Sequence, residues 1–330
     1  MLRFFIRRVL LAVLTLFAVS LTTFLLFFAA PSKPADTMCG VRICDPAQAA
    51  RISRSLGLDR PILVQYADYM KGVFVGRTVG TGNDAIECPA PCLGVSFRTN
   101  QPVLTIIGHG LPITGSIVIG GALTYLTLGL VLGTTAALRR GSPVDRFSIG
   151  FSLTGASMQI YVLGLVLVSL FVFTLGWLPR PAFTPLTDNP AEWAVGLLLP
   201  WITLGFINSA AYSRLSRAQM LETLSEDFVR TARAKGASMR TVNYRHALRA
   251  AITPIVTIFG LDFGASLGGV VITETTFGLQ GIGQTAVLAV LNLNLPVVMA
   301  TVLLAATFIV VSNVIVDMLY AFIDPRVRLS

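Results

Sequence analysis

The chain has 330 residues, 54% of them hydrophobic and only 12% charged, with a mean hydropathy of +0.75. The charged share is about half that of an ordinary globular domain, which excludes a soluble protein and identifies a polytopic membrane protein. The net charge of +9 would suit nucleic acid, but the basic residues are scattered among loops rather than gathered on one face, which excludes DNA and RNA as partners.

A membrane-crossing helix needs roughly 20 mostly apolar residues. In chain order, hydropathy predicts six: Val9–Ala30, Ile113–Leu138, Phe147–Phe173, Ala194–Tyr212, Pro254–Thr273 and Pro296–Phe322. The expected fold class is all-α: an integral membrane protein of six transmembrane helices, with a long extracytoplasmic loop after the first and a cytoplasmic helix between the fourth and fifth. Its parts are an N-terminal transmembrane helix (1–30), an extracytoplasmic segment with four cysteines (31–112), and a five-helix core (113–330) that includes the loop 213–253.

Sixteen Lys and Arg residues fall on the N-terminus, the second and fourth connections and the C-terminus, whereas the short connections on the other side carry Arg180 alone. By the positive-inside rule both termini are cytoplasmic. A cleaved signal peptide is the competing reading of the first span. Against it, the apolar run is long for an h-region, no A-x-A site is evident, and Pro31 follows Ala30.

Cys39, Cys44, Cys88 and Cys92 all lie in the outer segment, a distribution that suits disulfides in an oxidising compartment. Two bridges allow three pairings. Half of a metal site at "CPAPC" and free thiols are the other readings, although no His lies nearby to complete zinc ligation.

The third span carries Gly150, Ser152, Thr154, Gly155, Ser157 and Gln159 in its first half, a set that serves either close helix packing or the lining of a cavity. Pro200 is expected to kink the fourth span. Asp262 sits near the middle of the fifth, where a carboxylate costs about 2.5–3.5 kcal/mol on insertion scales. It either faces a translocation cavity, together with Gln159, or bonds to a neighbouring helix. Asp317 is expected at the interface. The two histidines, His109 and His246, fall on opposite sides of the membrane and cannot share a site. There is no H-E-x-x-H, no G-x-S-x-G and no G-K-[ST] phosphate loop. The sequence therefore offers no catalytic residues, metal or cofactor, and any nucleotide chemistry must come from another chain.

Between two apolar runs lies "SEDFVRTARAKGAS", Ser225 to Ser238. Ser225 is expected to cap a helix of about ten residues, with Glu226 and Asp227 in the first turn and Arg230, Arg233 and Lys235 toward the carbonyl end. Gly236 can end it in the left-handed conformation, and Ser238 can cap a second helix up to Thr253 and Pro254. Phe228, Ala232 and Lys235 share one face, forming a knob with one bulky apolar residue in a basic surround. The competing reading is an amphipathic helix lying on anionic lipid. The short side chains at 232, 234 and 236 are poor membrane anchors and favour a protein partner.

"RTARAKG" (Arg230–Gly236), followed after nine residues by "HAL" (His246–Leu248), resembles the cytoplasmic loop of ABC-importer permeases, E-A-A-x3-G-x9-I-x-L-P. Ala232, Gly236 and Leu248 match. Arg230, Thr231, His246 and Arg249 depart from the pattern in the manner of the dipeptide/oligopeptide branch. "LGLDRPILVQYADYMKG" (Leu56–Gly72), "GVSFRTNQPV" (Gly94–Val103), "LGWLPRP" (Leu175–Pro181), "ETTFGLQGIG" (Glu274–Gly283) and "VDMLYAFIDPRVR" (Val316–Arg328) resemble further segments of that family in the right order. The "CPAPC" region is similar to an insertion.

The resemblance implies a B-type permease subunit in a bacterial inner membrane. Its implied partners are a second homologous permease, two ATPase subunits, an extracytoplasmic solute-binding protein and a peptide substrate. It implies that Asp227, Phe228, Ala232, Arg233, Lys235 and Gly236 form the coupling helix that contacts the ATPase. Nickel, glutathione or another small solute is the alternative cargo. An ion-coupled secondary transporter is the rival mechanism, disfavoured by the near absence of intramembrane charge.

Overall fold

The computed structural model describes residues 2–28, 60–79, 86–96 and 98–323. Cys39 and Cys44 lie outside them. Among the described residues there are eleven α-helices and one small hairpin, and the chain divides into two compact units.

The first unit comprises the described residues of 1–114, 267–271 and 280–330. It contains α1 (Leu2–Phe28), α2 (Ile62–Val75), the strands β1 (Arg77–Val79) and β2 (Ile86–Cys88), and the start of α3 (Val103–Leu138). The strands pair antiparallel, with Thr78 opposite Glu87. Cys88 and Cys92 are bonded to each other with Cα atoms 5.4 Å apart, so neither sulfur serves a metal. Phe24, Tyr66, Tyr69 and Met299 form one buried cluster, in which Ser20 and Tyr66 share a 2.7 Å hydrogen bond. Arg77 lies over the Tyr69 ring at 5.4 Å; burial pushes the Tyr69 hydroxyl up and lowers Arg77. Arg8 pairs with Asp317 at 2.9 Å.

The second unit, 115–266 and 272–279, holds the rest of α3, α4 (Pro143–Ser157), α5 (Ile160–Val168), α6 (Pro190–Ser225), α7 (Asp227–Ala234) and α8 (Leu248–Leu267). The short α9 (Val271–Phe277) is followed in the chain by α10 (Ile282–Leu291) and α11 (Leu295–Ile323). The ends of α4 and α6 follow from local chemistry. Pro143 and Pro190 stand in their first turns, and Ser142 and Asn189 cap them by accepting backbone N–H bonds.

Small residues bring α3, α4 and α6 together. A Cβ added at Gly129 would lie 2.5 Å from Tyr212 Cβ, one at Gly133 would meet the carbonyl of Ser213, and one at Gly155 would lie 2.6 Å from Ala210 Cβ. Ser152 donates to the Ala210 carbonyl at 2.7 Å, and Ser148 and Ser213 share a bond of 3.0 Å. For Ser152 and Gly155 the packing reading therefore prevails over cavity lining.

The third and fifth predicted spans run differently from expectation. The third is broken: α4 and the run Ile160–Thr174 meet at 98°. The second of these ends in a π-helical turn, Ser169–Thr174. Pro254 does not end a helix. A π-helical turn, Thr241–Ala247, passes directly into α8, and the run continues past Pro254 to Leu267. The fifth span stops there instead of at Thr273, because Gly268–Gly269 follows. Gly269 has φ +130, and a Cβ on it would lie 2.8 Å from Gly283 Cα, so the chain turns where only glycine fits. In the fourth span, α6 remains one helix through Pro200.

Candidate functional site

The first candidate is the elbow between α6 and α8. Ser225 is not its cap: it is the last residue of α6, and its hydroxyl donates back to the Glu222 carbonyl at 2.7 Å. Glu226, in extended conformation, separates the two helices and stands at the N-cap without a side-chain bond. A serine at a helix end can satisfy its hydroxyl on the preceding turn, which removes it from capping. The elbow helix α7 therefore has 8 residues.

Its other end follows the expected chemistry. Gly236 has φ +79, its N–H donates to the Arg233 carbonyl at 3.0 Å, and that of Ala237 donates to Ala232 at 3.2 Å. These two bonds define a Schellman closure. Ser238 then accepts from the N–H of Thr241 at 3.3 Å, opening the next helix.

One side of α7 is anchored. Val229 is fully buried with Met220, Val242, Ala247 and Ala251, and Ala232 packs half-buried against that cluster. The other side is open: Asp227, Phe228, Arg233, Lys235 and Gly236 are exposed, Phe228 to 46%. Ala232 thus belongs to the seat of the helix rather than to the crest of the knob. The Asp227–Arg230 pair, at 3.5 Å and widely exposed, contributes little. Sequence reasoning missed Met239 and Tyr244, which are 60% and 54% exposed. They extend the apolar part of the elbow beyond Phe228. Their signal was present as large apolar side chains inside a basic run.

Below this elbow an unforeseen ion pair ties α4 to α6. Asp145 accepts from Arg217 Nε at 2.7 Å and from a terminal guanidinium nitrogen at 3.1 Å, and also from the Gly141 N–H at 2.9 Å. The carboxylate is buried and the arginine partly so.

The second candidate is Asp262, in the last third of α8 and exposed. One carboxylate oxygen accepts from the Tyr212 hydroxyl at 2.8 Å. Tyr212 is itself buried, with its ring 4.9 Å from that of Tyr125. Asp262 thus bonds a neighbouring helix, as one of its two sequence readings expects, while the residue itself stays exposed. Gln159 caps nothing: it stands exposed at the break between α4 and α5, in extended backbone. His109 and His246 lie in separate units, and no group of His, Cys, Asp and Glu able to hold a metal occurs among the described residues.

Long apolar helices crossed through small residues, with an exposed elbow helix seated on their core, define a multi-pass membrane protein. Residues 129–329 match the family described as binding-protein-dependent transport system inner membrane component, and residues 1–118 match the N-terminal part of such membrane components. The chain belongs to this family, whose members are non-catalytic permease subunits; ATP is hydrolysed by partner ATPases.

Among its relatives are a di/tripeptide transport system permease of Pseudomonas aeruginosa, 38% identical over 99% of both chains, and a dipeptide transport system permease of Escherichia coli, 34% identical over 99% of both. A probable peptide ABC transporter permease of Sinorhizobium fredii is 34% identical over 98% of this chain and 99% of its own.

Proposed function

We propose that this chain is one of two homologous permease subunits of a peptide importer. Dipeptides and oligopeptides are the cargo class, given the peptide permeases that resemble it along their whole length. Two ATPase subunits sit on the cytoplasmic side, where this chain's elbow forms the contact to them, and a solute-binding protein delivers peptide from outside. Both termini are cytoplasmic and the segment 31–112 is external, as the distribution of Lys and Arg favours. Within the core 113–330, Asp262 and Gln159 face the translocation path.

The observation that carries the coupling role is the elbow itself. Phe228 is exposed on a short helix that Val229, the next residue, locks into the core, and the exposed Asp227, Arg233 and Lys235 lie on the same helix and its end. Ala232 and Gly236 fix the angle at which it is presented. A push on such an element moves the helices that seat it, switching access between the two sides of the membrane.

The test is a detergent pull-down of the tagged chain from its native membrane, wild type beside Gly236→Arg. No atom lies within 4 Å of a Cβ at 236, but φ is +79, so the substitution strains the turn and places a long cation on the docking face. The expected outcome is recovery of an ATPase and a second permease with wild type, and about tenfold less ATPase with the variant. Equal ATPase recovery from both would remove the elbow as the joint.

A further inference from the structure

Asp262 lies on an exposed stripe of α8 whose other members are Ile258, Leu261 and Ala265. Such a stripe is suited to lipid or to a partner helix, except for its one carboxylate. Ionised carboxylates within spans face cavities or partners rather than hydrocarbon. Among the described residues only Tyr212 hydrogen-bonds to it, through one oxygen. That tyrosine is held in place by the ring of Tyr125 at 4.9 Å, and Tyr125 in turn meets Phe259 at 6.1 Å. Phe259 and Phe263, half-buried and 5.6 Å apart, continue the aromatic wall along α8.

We propose that Asp262 binds the primary ammonium of the peptide in transit, and that Tyr212 is the positioning residue that aims its carboxylate. This rests on the reading of the chain as a peptide permease. A carboxylate is an acceptor only, so its complement is a cation that donates hydrogen bonds. Peptides of any sequence share a free α-ammonium, whereas their side chains vary. Tyr212 occupies one acceptor direction of one oxygen and leaves the other oxygen for the ligand. A single carboxylate, rather than a cage of several, holds the cation long enough to orient it and still lets it leave, as a transit site requires.

The test uses the complete importer, with second permease, ATPases and binding protein, in proteoliposomes supplied with ATP and radiolabelled alanyl-alanine. The peptide taken up per ATP hydrolysed is expected to fall about tenfold or more in Asp262→Asn, to recover largely in Asp262→Glu, and to fall about threefold in Tyr212→Phe, which keeps the buried ring. An unchanged ratio in Asp262→Asn, or uptake and hydrolysis falling in step in all three variants, overturns the proposal while leaving the peptide reading in place. Tyr212→Phe decides the matter if the Asp262 variants do not assemble, since an unchanged ratio there overturns the positioning role and the site built on it. Absence of alanyl-alanine uptake by the wild type overturns the peptide reading, and the proposal with it.

Discussion

At Asp145 and Arg217 a bidentate pair does work that no hydropathy profile shows. The carboxylate also accepts the Gly141 N–H, so it ties the loop before α4 to α6. Removing the cation leaves a buried, unpaired charge, and removing both leaves none. Arg217→Met is expected to lower the unfolding temperature, and Asp145→Asn combined with it to recover most of that loss. Thermal unfolding in detergent checks this double-mutant cycle. The pair was illegible in the sequence because its members stand 72 positions apart. The Tyr212–Asp262 bond, 50 apart, was hidden for the same reason. Gly236 was legible, because a glycine after a basic last turn has a local cause and a local effect.

Among the elements, the crossing of α3 and α6 depends on close backbone approach. Gly133 faces the Ser213 carbonyl and the Ser216 side chain at distances no Cβ tolerates. Relief would require shifting a whole helix. Gly133→Leu is therefore expected to lose the folded protein rather than merely weaken it, with a cost above about 3 kcal/mol. A collapse of the monodisperse peak in size-exclusion chromatography is the readout, and a folded variant of normal thermal stability would refute the close-packing account.

Helix existence was legible from apolar length, but helix continuity was not. The bend between α4 and α5 falls at Met158–Gln159, with neither proline nor glycine at the joint to announce it. Pro254 misled in the opposite sense: membrane helices tolerate an internal proline, and here α8 runs through Pro254 to Leu267. Ser225 misled because a serine between two helices can belong chemically to either.

For the molecule as a whole, one run of helix links the two candidate sites. From Thr241 to Leu267 the chain winds without interruption for 27 residues, about 40 Å at the α-helical rise. The elbow lies just before its start, and Asp262 lies five residues from its end. Near the start sits the π-helical turn Thr241–Ala247, which holds an extra residue in its winding. Such a turn is an adjustable gear. Tightening it into α-geometry while the elbow stays seated would rotate everything beyond it by one residue, about 100° around the axis. That rotation would carry Asp262 off its present face and bring a neighbouring strip of the helix in its place. Single cysteines at 258, 262 and 265 are expected to lose labelling, and cysteines at 257, 260 and 264 to gain it, when ATP is trapped on the assembled importer, while one at 261 labels in both states. Identical labelling patterns in the two states would mean that the helix moves as a rigid rod with its gear locked.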